Sequence, residues 1–109
     1  MDWEYPGDRG GIPSDKAAFV ELLKALRARF NTEGLLLSAA VGANLNYIQT
    51  AYDVPSLSRY LDFINLMTYD YYGSWSKQAG HYSALYPDVV INYFFHELSK
   101  TFVNSNCLI

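Results

Sequence analysis

The sequence has a single cysteine, Cys107, so no disulfide can form within the chain and no thiolate cluster can hold a metal ion. Its two histidines, His81 and His96, lie far apart and lack the spacing of metal ligands. A loop or surface role is the preferred interpretation of each. We therefore expect no metal site, and nothing implies an organic cofactor.

Basic charge is also scarce, and the net charge is −3. The densest basic patch is Lys24, Arg27 and Arg29, on what is predicted to be an ordinary helix face, so nucleic acid is not an expected partner. No apolar run approaches the ~20 residues of a membrane span, and the acidic N-terminus does not resemble a signal peptide. Either the chain is cytosolic or its true N-terminus is missing.

What the sequence does contain is apolar and aromatic. Half of its residues are hydrophobic and only 17% are charged, which favours a packed core over disorder. Ten tyrosines supply most of the aromatic share. They suit a groove that stacks on sugar rings or a protein interface, but an ordinary mixture of core and surface tyrosines is equally compatible. No specific protein partner is evident.

Hydrophobic periodicity predicts strands that alternate with helices. Residues 1–5 alternate as at the end of a strand, and two short apolar runs are typical of buried parallel strands. Helical spacing begins after Ser14, a predicted N-cap. Alternation of this kind indicates an α/β fold with parallel pairing. The predicted strands cover residues 35–41 and 62–69, and the predicted helices cover 15–30, 47–52, 55–60 and 88–102.

Two carboxylates stand one residue apart at the start of the chain. On a strand, Asp2 and Glu4 project to the same face, so their charges repel and one is expected to hold a proton near neutral pH. A general acid that protonates a leaving oxygen needs that property. A solvated strand end would produce the same pattern.

The second apolar strand ends in further polar groups. Met67 and Tyr69 share one alternating face, and Asp70 follows where the strand should end. In a parallel barrel the carboxyl ends of the strands converge on the site, so Glu4, Tyr69 and Asp70 are expected to meet there. The alternative is a core tyrosine followed by a helix-capping aspartate.

Three segments resemble one known family in the right chain order. Asp2-Trp3-Glu4-Tyr5-Pro6-Gly7 resembles the end of the Asp-x-x-Asp-x-Asp-x-Glu signature of the glycoside hydrolase family 18 chitinases. Residues 35–41 resemble the fifth barrel strand of that family, and residues 65–70 with Gly73-Ser74-Trp75 resemble the sixth strand and its loop. The resemblance runs from residue 1 to about residue 86, from the end of strand 4 to about helix 6.

The resemblance implies a (β/α)₈ TIM barrel, of which this chain would supply about three parallel strands with their helices as one partial catalytic domain over residues 1–109. It also implies cleavage of β-1,4-linked N-acetylglucosamine in chitin or chitooligosaccharides, with retention and with the substrate's own acetamido group as nucleophile. Secretion of the family's members implies an extracellular location.

The family's motif also implies roles for individual residues. Glu4 would protonate the glycosidic oxygen and later activate water, while Asp2 would orient the acetamido group and stabilise the cationic intermediate. Tyr69 would hydrogen-bond the acetamido oxygen. The remaining expected substrate contacts are Tyr5, Met67, Asp70 and Trp75.

The sequence also departs from the family's pattern at both ends. The two earlier aspartates of the signature are absent, and so are the seventh and eighth strands of a barrel that needs about 250 residues. Residues 94–97 and 103–109 do not follow the family. A gene-model error, a retained intron or a truncated transcript would explain both ends, and we expect the chain to be inactive alone. The alternatives are a chitinase-like lectin, which binds without hydrolysis, and a small α/β interaction protein.

Overall fold

A computed structural model describes residues 1–84 of the chain as a small α/β unit. The helix predicted over residues 88–102 lies outside the described residues. Both predicted strands and the three remaining helices are confirmed, with shifts of a few residues at their ends. The elements in chain order are α1 (Asp15–Glu33), β1 (Ser38–Gly42), α2 (Leu45–Ala51), α3 (Val54–Tyr60) and β2 (Phe63–Met67).

The two strands pair in parallel, as the sequence predicts. The register runs from Ser38 opposite Phe63 to Gly42 opposite Met67. On the other edge of β1, Asp2 forms a parallel bridge with Ala40, whose N–H donates to the Met1 carbonyl at 2.8 Å. The carboxyl ends of both strands therefore lie at the same edge of the sheet, beside the start of the chain.

The predicted strand end over residues 1–5 is shorter in the structure, since only Asp2 bridges to the sheet. The chain turns at once, and the Asp8 N–H donates to the Tyr5 carbonyl at 3.0 Å. Pro6 lies inside this turn and has no N–H with which to continue a ladder. The alternation of side chains that the sequence predicts is therefore not imposed by a sheet beyond residue 2.

The core lies between the sheet and the three helices. In β1, Ala39 and Val41 are buried, whereas Ser38 and Ala40 are only half-buried. The expectation that this strand is buried on both faces is therefore wrong for the described residues, in which Ala39 and Val41 join the core cluster with residues of the three helices and Ser38 and Ala40 do not. The core side chains with at most 2% exposure are Phe19, Leu23, Ala39, Val41, Ala51, Tyr52, Leu57 and Ile64.

Helix α1 begins at Asp15, as predicted, but its N-terminal cap and its last residue differ from the prediction. Ser14 makes no capping hydrogen bond with its side chain, and Asp15 Oδ2 instead accepts from the Ile12 N–H at 2.9 Å. The helix continues past residue 30 to Glu33, because Gly34 adopts φ 66° and its N–H closes the last turn on the Phe30 carbonyl. In the described part of the chain, no helix is long and apolar enough to cross a membrane.

An ion pair joins α1 to the start of β2. Arg27 donates to the Asp62 carboxylate and, through Nε, to the Tyr60 carbonyl at 2.9 Å. Asp62 Oδ2 also accepts from the Leu37 N–H at 2.7 Å, just before β1. The Leu37 N–H and the Arg27 guanidinium together hold the pKa of Asp62 below its ordinary value of 3.8. One carboxylate thus fixes where both strands begin.

We expect this carboxylate to make stability depend on pH. A lowered folded pKa means that the stabilisation is complete above 3.8 and is lost as the pH falls through the folded value. Asp62→Asn should therefore lower the melting temperature at neutral pH, and its difference from wild type should vanish in acid. Circular dichroism melts of the whole protein encoded by the gene that contains this chain, from neutral pH to below 3.8, measure this difference.

The control for this prediction is Glu21→Gln, which removes an exposed carboxylate that pairs with Lys24 across one helix turn. Such a surface pair contributes little to stability, so this variant should follow wild type at every pH. A difference between wild type and Asp62→Asn that stays constant across the acid range would contradict the assignment of the pH dependence to Asp62.

Candidate active site

A pocket of about 520 Å³ opens at the carboxyl ends of the two strands. Its wall is built from the first loop of the chain, from the segment after β1 and from the segment after β2. This is the edge at which ligand sites of parallel barrels are found. The lining residues are Tyr5, Arg9, Gly42, Ala43, Asn44, Tyr47, Met67, Tyr69, Asp70, Tyr71 and Trp75.

One wall of the pocket is a layered aromatic stack. The rings of Tyr5 and Tyr47 are stacked with centroids 4.0 Å apart, and the Arg9 guanidinium carbon lies 4.9 Å from the Tyr5 centroid. Gly42 at the end of β1 permits this approach, since a Cβ there would lie 3.2 Å from both rings. The stack therefore depends on a glycine that ends a strand.

The first loop is held to this stack by its own polar residues. Burial raises the pKa of Tyr47, and its hydrogen bond with Asp8 and the charge of that carboxylate raise the pKa further. Arg9 next along the loop has φ 49°, a backbone conformation that is uncommon outside glycine. Asp8 and Arg9 thus bring the loop against the pocket from two sides.

Glu4 lies beside the pocket without lining it. Its Oε2 accepts a hydrogen bond from Arg9 Nη1 at 3.1 Å, and its carboxylate also hydrogen-bonds with Tyr5. The side chains of Glu4 and Arg9 are 38% and 60% exposed, so this ion pair contributes less than about 1 kcal/mol to stability. Both partners of Glu4 line the pocket, so its carboxylate is on the pocket's side of the sheet.

The charges of Asp2 and Glu4 both raise the pKa of a buried tyrosine, Tyr52. The Tyr52 hydroxyl accepts from the Gly42 N–H at 3.2 Å. Burial, with smaller contributions from the charges of Tyr5, Glu4 and Asp2, raises the pKa of Tyr52 to about 12. Tyr52 therefore stays neutral at physiological pH.

The far wall comes from the segment after β2. Tyr69 is half exposed and stacks on Tyr82 with centroids 6.3 Å apart, while Asp70 adopts φ 61° and hydrogen-bonds with the Tyr82 hydroxyl. Trp75 is 66% exposed at the rim. The strand end thus presents an aromatic ring and a carboxylate to the same space.

The structure brings together most of the residues that the sequence singles out. Met67, Tyr69, Asp70, Tyr5 and Trp75 line one pocket. Glu4 reaches it only through Arg9 and Tyr5, and Asp2 lies outside its lining. Within residues 1–84, no group of histidine, cysteine or carboxylate side chains could hold a metal ion.

Sequence reasoning misses Arg9, Tyr47, Tyr52 and Tyr82. Tyr5 lies in the first loop and its stacking partner Tyr47 lies in α2. The buried hydroxyl of Tyr52 accepts a hydrogen bond from Gly42, ten residues earlier in the chain. No local pattern marks such pairs. The available signal was the glycine that ends β1, because a glycine at a strand end indicates a close approach by another group.

Comparisons with known proteins agree on one family. The sequence model of glycosyl hydrolases family 18 matches residues 1–107. Probable chitinase 2 of Drosophila melanogaster is 49% identical over 85 residues, which is 78% of this chain and 18% of that protein. The chain therefore spans about a fifth of the length of that relative.

Solved structures give the same result. Catalytic domain 2 of the group II chitinase of Ostrinia furnacalis is 41% identical, with a TM-score of 0.80 over 97% of this chain and 30% of that domain. A mutant of that domain, solved in complex with penta-N-acetylchitooctaose, is 40% identical with a TM-score of 0.80, over the same shares of the two chains. The two-stranded α/β unit described above therefore matches a part of a chitinase barrel.

Proposed function

Since this chain belongs to glycosyl hydrolases family 18, we propose that it is the acid-bearing segment of a chitinase that cleaves β-1,4-linked N-acetylglucosamine polymers. The observation that carries the proposal is the family match over residues 1–107, which includes every residue of the pocket and Glu4. The proposed substrate is chitin or a chitooligosaccharide, and the proposed location is extracellular.

In the first proposed step, Glu4 donates its proton to the glycosidic oxygen as the bond to the anomeric carbon breaks. The carbonyl oxygen of the substrate's acetamido group attacks that carbon and forms a cyclic oxazolinium ion. Arg9 and Tyr5 support this role because they hold the Glu4 carboxylate at the pocket's edge. Holding the acid in place reduces the entropy that must be lost in the reaction.

The cationic intermediate needs a nearby anion and a fixed acetamido group. We assign the anion to Asp2 and the hydrogen bond to the acetamido oxygen to Tyr69. Tyr69 lines the pocket, and the charge of Asp2 acts on Tyr52, whose hydroxyl accepts a hydrogen bond from the Gly42 N–H at the end of β1. Tyr5, Met67, Asp70 and Trp75 would contact the sugar around the scissile bond.

In the second step, Glu4 as carboxylate takes a proton from water, and the water oxygen attacks the anomeric carbon of the oxazolinium ion. The ring opens and the acetamido group is restored. Attack from the face that the leaving group vacated restores the original configuration, so the product retains it. Glu4 ends protonated, ready for the next cycle.

The test uses the full-length protein encoded by the gene that contains this chain, called the full-length protein below. It should cleave a chitooligosaccharide, and proton NMR of the fresh product should show the β anomer first. A fully deacetylated oligomer of the same length should not be cleaved, because it lacks the nucleophile. Cleavage of both oligomers at equal rates would contradict the substrate-assisted step.

The alternative is a chitin-binding lectin that does not hydrolyse. The aromatic wall of Tyr5, Tyr47 and Trp75 suits sugar binding with or without chemistry. The presence of Glu4 favours the enzyme. Isothermal titration that detects chitooligosaccharide binding to the full-length protein, in the absence of any turnover, would replace the hydrolase with the lectin.

A further inference from the structure

The short segment 81–83 packs against the strand end that carries Tyr69 and Asp70. The Tyr71 N–H donates to the Tyr82 carbonyl at 3.1 Å. Ser83 Oγ donates to the Thr68 carbonyl at 2.8 Å. These two bonds join the segment to the backbone on both sides of residues 69 and 70. They therefore hold the backbone of Tyr82 in place beside these two residues.

From that position, the Tyr82 side chain contacts Tyr69 and Asp70 at once. Its ring is parallel to the Tyr69 ring within 11°, with centroids 6.3 Å apart, which is an offset stack. Its hydroxyl hydrogen-bonds with the Asp70 carboxylate, and this bond is the main reason why the pKa of Tyr82 is raised. Tyr82 itself does not line the pocket, whereas Tyr69 and Asp70 do.

The backbone alone does not fix these two side chains. β2 ends at Met67, so neither residue is held by the pleat of a strand. Asp70 has φ 61°, which turns the chain out of the strand direction. Both side chains are exposed, so burial in the core does not restrict their rotamers. Among the described residues, the contacts with Tyr82 therefore orient the side chains of Tyr69 and Asp70.

We propose that Tyr82 is a positioning residue that holds the Tyr69 ring and the Asp70 carboxylate in the orientation required by the substrate. This inference rests on the proposed function, because the sugar contacts of Tyr69 and Asp70 belong to that proposal. Tyr82 acts through its two neighbours and touches no reacting atom. A small misplacement of such groups is enough to slow a reaction substantially.

The stack and the hydrogen bond can be removed separately. Tyr82→Phe keeps the ring and loses the hydroxyl, so it removes the hydrogen bond with Asp70 alone. Tyr82→Ala removes both that hydrogen bond and the stack on Tyr69. In the full-length protein, we expect kcat on a chitooligosaccharide to fall about 5-fold for Tyr82→Phe and about 50-fold for Tyr82→Ala. KM should change by less than about 2-fold, because orientation is used in the transition state.

The matched control is Tyr60→Phe, which removes a tyrosine hydroxyl on α3 from a residue that does not line the pocket. It should keep wild-type kcat and KM. Melting temperatures of all variants separate a local effect from a loss of folding. If Tyr82→Ala does not fold, Tyr82→Phe carries the test.

A structural readout keeps this test independent of activity. Crystal structures of Tyr82→Phe and Tyr82→Ala should show Asp70 in a new rotamer in both variants, and Tyr69 displaced only in the second. Unchanged rotamers, unchanged kcat, or a raised KM at constant kcat would each overturn the positioning role. A wild-type protein without turnover would refute the proposed function instead, and the rotamers would then decide the positioning role alone.

Discussion

Glu4→Gln is expected to lower kcat of the full-length protein on a chitooligosaccharide by roughly 10²–10⁴-fold, the range that general acid–base catalysis contributes. Glutamine keeps the shape of the side chain and can still accept a hydrogen bond from Arg9 Nη1, so the loop and the pocket should be retained. What it cannot do is donate the proton that the leaving oxygen needs. Steady-state rates with equal melting temperatures measure the effect.

The leaving group distinguishes the acid role from a general disturbance of the site. A fluorogenic methylumbelliferyl chitobioside has a good leaving group that needs little protonation, so Glu4→Gln should harm its cleavage much less than that of the natural oligosaccharide. Glu33→Gln, which removes a surface partner of Arg29 at the end of α1, is the control and should leave both rates unchanged. Equal losses of kcat/KM on the two substrates would remove Glu4 from the role of acid, because this ratio reports the step in which the leaving group departs and not the later attack of water, in which Glu4 acts as base.

The second large effect concerns the chain of 109 residues by itself. We expect it to show no chitobioside cleavage above the blank, although it carries Glu4, Tyr69 and Asp70. Within the described residues, β2 pairs only with β1, which leaves an open strand edge. Leu36 is 71% exposed and Leu35 51%, so apolar surface is uncovered as well. Such a molecule is expected to aggregate.

Size-exclusion chromatography and dye binding test the aggregation, and the fluorogenic assay tests the activity, each beside the full-length protein. The full-length protein is the matched control, because its residues in this segment are identical. A monomeric chain that turns over the chitobioside, and that loses turnover on Glu4→Gln, would overturn the expectation. Such a result would mean that the pocket after β1 and β2 suffices for catalysis.

The loop between Pro6 and Gly11 contributes more contacts to the candidate site than its composition indicates. A glycine-rich stretch after a strand indicates a turn, and the sequence supports no more than that. In the structure, Arg9 pairs with Glu4 and covers Tyr5, while Asp8 bonds with Tyr47. The loop is therefore part of the site.

The prediction that Asp2 and Glu4 share one face assumed that strand alternation holds over residues 1–5. Strand alternation applies where a sheet imposes the pleat, and here only Asp2 is paired. Beyond it, Trp3 packs edge-on against Phe19 of α1, whereas Tyr5 turns into the pocket. The orientation of Glu4 is set by Arg9 and Tyr5, which the periodicity of the sequence does not contain.

The sequence by itself determined the α/β order, the parallel strands, the ranges of the three described helices to within a few residues, and the family. These depend on hydrophobic periods and motif residues within short stretches, which each segment encodes locally. Only the tertiary structure decided that Arg9 holds Glu4, that Tyr47 covers Tyr5 and that Tyr82 joins Tyr69 to Asp70. The Tyr5–Tyr47 contact joins the first loop to α2, whereas the other two contacts lie within irregular segments, where no strand or helix period relates one side chain to another.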